Sequence, residues 1–168
     1  MDVSDLVAEH GTWMLRLAYL LTGDRANAED LYQETLVKIV ARPARVNAAR
    51  NRKAYLRKML VNGHIDATRR RSGTFEVLTA DEEIGPPATD SSPLLDIEAR
   101  AEMWEAILRL SPPLRTALVL RYYEDLDDSE IASVAGWSRP TVRSNVSRAL
   151  AELRRSWASS EQTDEVPQ

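Results

Sequence analysis

The chain has 168 residues, 43% hydrophobic and 29% charged, enough for one ordinary domain or two small ones. It has no cysteine, which excludes disulfides, thiolate zinc sites and cysteine nucleophiles; its two histidines, His10 and His64, stand far apart without ligand spacing, so no metal and no cofactor are expected. The formal net charge of −4 argues against a nucleic-acid partner only until it is divided along the chain.

Residues 1–72 carry 13 basic and 8 acidic side chains, and residues 99–160 carry 9 and 8. Residues 73–98 carry no basic and 7 acidic ones, and the last eight residues add 3 more acids. The acid is therefore concentrated in one middle segment and the tail, and local charge sets attraction to phosphate. Arginine dominates the basic residues, with lysine only at Lys38, Lys53 and Lys58. The longest apolar-rich run, Trp13 to Leu21, contains Arg16 and is too short to cross a bilayer. Met1 is followed by Asp2 and Asp5 rather than by a basic region, so a cytoplasmic protein without a signal peptide or membrane insertion is expected.

Helical periodicity runs through most of the chain. It predicts helices near Leu6 to Leu21, Ala26 to Ala41 and Arg52 to Arg70, with Thr22-Gly23-Asp24 as the first break. Pro43 ends the second, and Ala44 to Asn51 is expected as a basic loop. Within the second helix, Tyr32, Leu36, Ile39 and Val40 fall on one side as its buried face, which leaves Asp30, Gln33 and Glu34 together on an exposed one. An acidic face on a basic domain repels DNA and suits a basic protein partner, although a solvated face is the default for such a patch alone. In the third helix, Lys58, Asn62 and Arg69 fall near one face, and Asp66 is expected to hydrogen-bond Arg69 or Arg70. The dipole alone favours arginine at a helix C-terminus, so that run is modest evidence for nucleic acid. His64 is expected at the surface or partly packed.

Gly73 to Asp96 interrupts the periodicity with Gly85, Pro86, Pro87 and Pro93 among its acids, and reads as a flexible acidic linker. Its 24 residues, fully extended, span roughly 80 Å, so two domains joined by it can stand several turns of DNA apart. Beyond it, helices are predicted near Ile97 to Leu110, Pro113 to Tyr123, Ser129 to Ala135 and Arg139 to Trp157. Proline stands in the first turn after Ser111. Asp127 and Glu130 fit a capping box, and Ser138 is a good N-cap. Ser159 to Gln168 is a polar acidic tail expected to be disordered.

The stretch LDDSEIASVAGWSRPTVRSNVSRALAELR, Leu126 to Arg154, carries the most information. Two helices around Gly136, the second with arginines opposite an apolar stripe of Val142, Val146, Ala149, Leu153 and Trp157, match a helix-turn-helix that lays its second helix in the major groove. Arg139, Thr141, Arg143, Ser144, Ser147 and Arg148 are the candidate DNA contacts of that helix. Arg115 and Arg121 on the preceding helix are candidates for phosphate. The tryptophans, Trp13, Trp104, Trp137 and Trp157, sit mostly at apolar positions and are expected in the core, with Trp137 in the turn partly exposed. The fold class is thus all-α: two small helical domains, the second with a helix-turn-helix.

The segments AEDLYQETLVKI, KAYLRKMLVNGHIDATRRR, LRLSPPLRTALVLRYYEDL and EIASVAGWSRPTVRSNVSRALAELR, in this order and spacing, resemble the sigma factors of bacterial RNA polymerase, of the small extracytoplasmic-function (ECF) type. The resemblance covers nearly the whole chain, and RLAYLLTGD with SNVSRALAELR points to the actinobacterial SigE-like subgroup. It implies a region 2-like domain over 1–72, a linker over 73–96, a region 4-like domain over 97–158 and a tail over 159–168. It implies that Asp30, Gln33 and Glu34 dock core RNA polymerase. It assigns Lys58, Asn62, Asp66, Arg69 and Arg70 to the −10 promoter element, and gives Asn47 and Asn51 the polar edges that capture an unstacked base of the melted strand. The candidates on the last helix then read the −35 element. The chain departs from the family pattern at Asn145 and Ser147, where a basic residue and then His are frequent, and at Trp137, which replaces a small aliphatic residue.

The resemblance implies a transcription initiation factor that binds core polymerase, directs it to promoters in duplex and melted DNA, and leaves covalent chemistry to the polymerase. It also makes an anti-sigma partner expected. The alternative from the residues alone is an autonomous helix-turn-helix regulator that binds duplex DNA as a dimer at paired half-sites. A small hydrolase or metalloenzyme is disfavoured by the missing cysteines, the isolated histidines and the lack of a GxxxxGK loop.

Overall fold

The computed structural model describes residues 2–73 and 97–161. Eight α-helices form the fold among them: α1 Val3–Thr22, α2 Arg25–Ala41, α3 Pro43–Ala48, α4 Arg52–Ser72, α5 Ile97–Arg109, α6 Pro112–Leu118, α7 Asp128–Ala135 and α8 Arg139–Glu161. Apart from Gly73, the expected linker lies outside the described residues, as does the chain beyond Glu161. Ser159, expected to begin the tail, still belongs to α8. Among the described residues no helix is long and apolar enough to cross a membrane.

Local chemistry sets most boundaries. Asp2 and Asp5 form a capping box at the start of α1. Gly23 ends that helix in the left-handed region at φ 70°, with its N–H on Tyr19 O at 2.8 Å. Asp24 then caps α2 by accepting from the Asn27 N–H at 3.3 Å. Pro43 does end α2, but it also opens a short helix, because proline suits the first turn. The expected basic loop is therefore the helical turn α3 followed by Asn51, whose Oδ1 accepts from the Ala54 N–H at 2.9 Å and caps α4. In the second domain, the helix expected through Tyr123 is α up to Leu118 and then one π-helical turn, Val119–Tyr123. Asp125, just beyond it, takes the left-handed conformation at φ 55°. The Asp127–Glu130 capping box forms at α7, with bonds of 2.8 and 2.9 Å. Gly136, at φ 73°, makes the turn into α8, and Ser138 Oγ accepts from the Thr141 N–H at 3.3 Å.

The domains do not stand apart. Leu6, Met14, Leu17, Leu21, Leu31, Ile39, Leu56, Leu60, Val61 and Ile65 of the first share one apolar core with Val119, Leu120, Leu126, Ile131, Ala135 and Val142 of the second. A smaller cluster belongs to the second domain alone and contains Ala106, Leu110, Leu114, Leu118, Ala149 and Leu153. Burial of apolar surface from both domains is what brings them together.

Polar contacts fix how they meet. Glu124, delivered by the π-helical turn, accepts from Trp13 Nε1 and from Arg57 Nε, each at 2.7 Å. Its side chain is 3% exposed. Arg115 is buried and donates to the carbonyls of Leu21 at 3.0 Å, Thr22 at 3.4 Å, and Leu108 and Leu110 at 3.3 Å. These carbonyls lie at or just beyond the last turns of α1 and α5, where intrahelical partners run out. Tyr19 stacks on Trp104 across the same junction, with centroids 5.6 Å apart. Gly23 packs so tightly there that an added Cβ would stand 2.6 Å from Leu108 Cδ2.

Candidate polymerase and DNA interfaces

Helix α2 buries Ala28, Leu31, Thr35 and Ile39 and turns Asp30, Gln33 and Glu34 to solvent. The acidic face is thus where helical spacing puts it. Its expected buried side is displaced: Tyr32 and Leu36 are half-buried, and Val40 is 59% exposed. With Ile39 already inward, the next residue lies about 100° further round the helix and faces out. Val37 is exposed as well, so the acidic face continues into an apolar end.

The neighbouring face of α4 exposes Lys58, Asn62, Asp66, Arg69 and Arg70, at the helical spacing that aligns them. The expected bond from Asp66 to Arg69 or Arg70 does not form. Arg70 reaches across to Glu34 at 3.6 Å, and Arg71 donates to Asn27. Two of the arginines after Asp66 therefore tie α4 to α2. Asn47 is exposed on α3, and Asn51 is exposed with its carbonyl committed to the cap. Together these residues lie along α2, α3 and α4 of one domain.

His64, expected near the surface, is 2% exposed. Its neighbours on the turns, Leu60, Val61, Ile65 and Thr68, are buried too. It lines a cavity of about 240 Å3 with Asp30, Leu31, Glu34, Arg70 and Arg71. Burial, and then the charges of Arg115 and Arg71, push its pKa down to about 3, so the ring is neutral at pH 7. Among the described residues no cluster of three or more potential metal ligands occurs.

In the second domain the candidate set divides. Arg139 and Arg143 are exposed at the start of α8, Thr141 is half-buried and hydrogen-bonded to Ser138, and Ser147 and Arg148 are half-buried. Ser144 is 6% exposed, buried like its neighbours Val142 and Asn145, and packs rather than reads. Asn145 is fully enclosed, and neither Nδ2 nor Oδ1 finds a hydrogen-bond partner among the described residues. Such burial costs roughly 1–3 kcal/mol, and it removes Asn145 from any base-reading set. Arg115 is not a phosphate contact: it is the interdomain clamp, and burial lowers its pKa. Arg121 is partly buried and its guanidinium is engaged by Asp128 within the protein, so it is not a free phosphate contact. Trp13, Trp104 and Trp137 are half-buried and Trp157 is 40% exposed. Trp137 is thus partly exposed as expected, whereas Trp13, Trp104 and Trp157 lie at edges of the packing rather than inside it, as indole readily does.

Sequence reasoning missed Glu124, Arg57 and Asp128. Glu124 and Arg57 meet across 67 positions, and no periodicity signals such a pair. Asp128 sits beside the capping residue and is concealed by it.

Residues 6–74 match sigma-70 region 2, and residues 100–153 match sigma-70 region 4. The RNA polymerase sigma-E factor of Streptomyces coelicolor is 32% identical over 158 residues, covering 92% of this chain and 85% of that protein. The ECF RNA polymerase sigma factor SigE of Mycolicibacterium smegmatis is 33% identical over 154 residues, covering 89% of this chain; the chain spans 59% of that relative's length. Among solved structures, the sigma factor RpoE of Bartonella quintana, in complex with the anti-sigma factor NepR, matches with a TM-score of 0.65 at 26% identity, over 92% of this chain and 96% of that one. The two-domain helical fold with a helix-turn-helix is that of an initiation subunit. The chain belongs to the sigma factors that direct bacterial RNA polymerase to promoters, to their extracytoplasmic-function type, and within it to the SigE-like kind.

Proposed function

We propose that α2 docks core RNA polymerase through Asp30, Gln33 and Glu34, that α3 and α4 hold the −10 region through Asn47, Asn51, Lys58, Asn62, Asp66, Arg69 and Arg70, and that Arg139 and Arg143 read the −35 element. The observation that carries this is the adjacency of an exposed acidic face on α2 and an exposed polar, largely basic face on α4 within the domain that matches region 2. Opposite charge preferences on neighbouring helices suit two partners, one protein and one nucleic acid. The chain itself performs no covalent chemistry and works where the polymerase is, in the cytoplasm. An anti-sigma factor is a further partner, supported by the complex of the Bartonella quintana relative. No observation favours the autonomous dimeric regulator.

The promoter then requires the domains to separate. Elements named −10 and −35 lie about 25 base pairs apart, or about 85 Å at 3.4 Å per step. A compact chain of this length has a radius of gyration of about 15 Å. The packed pair cannot cover both elements, so polymerase holds the domains open.

Two measurements test the assignment. Reversing charge with Asp30→Arg and Glu34→Arg should weaken binding to core polymerase at least about tenfold, since like charges at an interface repel; the circular dichroism of the variant should stay helical. Unchanged affinity in fluorescence anisotropy would remove α2 from the docking role. Arg143→Ala should reduce promoter use by about 1–3 kcal/mol, confined to promoters carrying the base it reads. A uniform loss on every upstream sequence would make Arg143 a phosphate contact instead.

A further inference from the structure

Arg143 is not a free side chain. Its Nε donates to Asp128 Oδ2 at 3.0 Å, and Asp128 Oδ1 accepts from Arg121. The next arginine toward the turn is held in the same manner: Arg139 Nη2 donates to Ser129 Oγ at 3.0 Å. Both arginines at the start of α8 are thus tied back to the first turn of α7. The Arg143 side chain remains 66% exposed, against 29% for Asp128.

We infer that Asp128 is a positioning residue for base reading by Arg143. This rests on the proposal that α8 reads the −35 element. An exposed ion pair adds little stability, so Arg143 to Asp128 is a poor device for holding α7 on α8. It is a good device for fixing an arginine. A carboxylate on Nε orients the planar guanidinium and leaves N–H groups on the two Nη atoms pointing away from it. That fork matches the O6 and N7 acceptors of guanine in the major groove. Arginine otherwise loses freedom about several side-chain bonds when it binds, and orienting it beforehand lowers that cost. Arg121 completes the arrangement from the other side: it occupies the second carboxylate oxygen and keeps Asp128 from rotating away. Its charge also offsets that of Asp128, so the acid faces DNA as part of an Arg–Asp–Arg group of net positive sign.

The test uses the full-length chain with core polymerase, transcribing a promoter library randomised across the upstream element, with Arg143→Ala, Asp128→Ala and Asp128→Asn side by side. Arg143→Ala should flatten the preference at one position. Asp128→Ala should lower the preference at that same position about tenfold, with total output from the library held or raised, because a negative charge near phosphate has gone. Asp128→Asn keeps one acceptor and should fall between wild type and alanine. A residue acting only through folding would instead lower output equally on all sequences, and that result overturns the inference. So does an unchanged preference with higher output everywhere, which would make Asp128 a mask on Arg143. If Asp128→Ala fails to fold, Asp128→Asn decides the matter by the same readout. If Arg143→Ala flattens nothing, the reading of α8 fails and the inference with it; if Arg143→Ala flattens a position that both Asp128 variants leave intact, only the inference fails.

Discussion

Glu124→Ala is expected to destabilise the closed molecule by about 3–5 kcal/mol, the range for breaking a buried ion pair from one side. The substitution leaves Arg57, whose side chain is 13% exposed, without its carboxylate, and leaves Trp13 Nε1 without an acceptor. Both groups are only partly exposed, so water replaces the lost carboxylate incompletely. Glu124→Gln retains an oxygen for one donor and loses the charge, so a smaller loss of about 1–3 kcal/mol is expected. Urea denaturation gives the free energies, and small-angle scattering reports whether the variant is more extended than the parent. A loss under about 1 kcal/mol, the value for exposed pairs, would mean that Glu124 is not enclosed in solution.

Acidification should loosen the protein through His64. Its folded pKa of about 3 lies below the ordinary 6.5, so the unfolded chain binds the proton first. The stabilisation from keeping the ring neutral is complete above pH 6.5 and is lost as pH falls toward 3. Between pH 7 and 5 the loss amounts to about 2 kcal/mol, since one pKa unit corresponds to about 1.36 kcal/mol. Arg115 and Arg71 enforce the sign, because a second positive charge in their company is unfavourable. Denaturant midpoints at pH 7, 6 and 5 should therefore fall for the parent. His64→Leu, which cannot protonate, should be nearly flat over the same range. Parallel slopes for the two proteins would locate the pH dependence elsewhere.

The features legible in the sequence were those with local causes. The break at Gly23, the Asp127 capping box, the Gly136 turn and the Asp30–Gln33–Glu34 face all follow from residues within a few positions of one another. Helical spacing places a face but does not say how many neighbours crowd it, which is why Ser144 and His64 proved buried and Val40 exposed. Nothing near Arg115 in the sequence distinguishes a candidate phosphate contact from a buried clamp. Its fate depends on the Leu21 and Thr22 carbonyls, more than 90 positions away. Glu124, one of several charges between Arg121 and Asp128, carries no local mark that sets it apart as the buried one.

The shared core has a consequence for avidity. Two linked modules gain from their linkage only when both sites can be occupied together, because the second contact is then intramolecular; where geometry forbids this, the gain vanishes. With Leu60, Val61 and Ile65 packed in one core with Ile131 and Ala135, the closed chain meets a promoter, on the proposed reading, as two weak modules that must bind one at a time. Separation of the domains restores the multiplication of affinities with no change in any base contact. On that same reading, polymerase supplies a bivalency that the closed chain lacks.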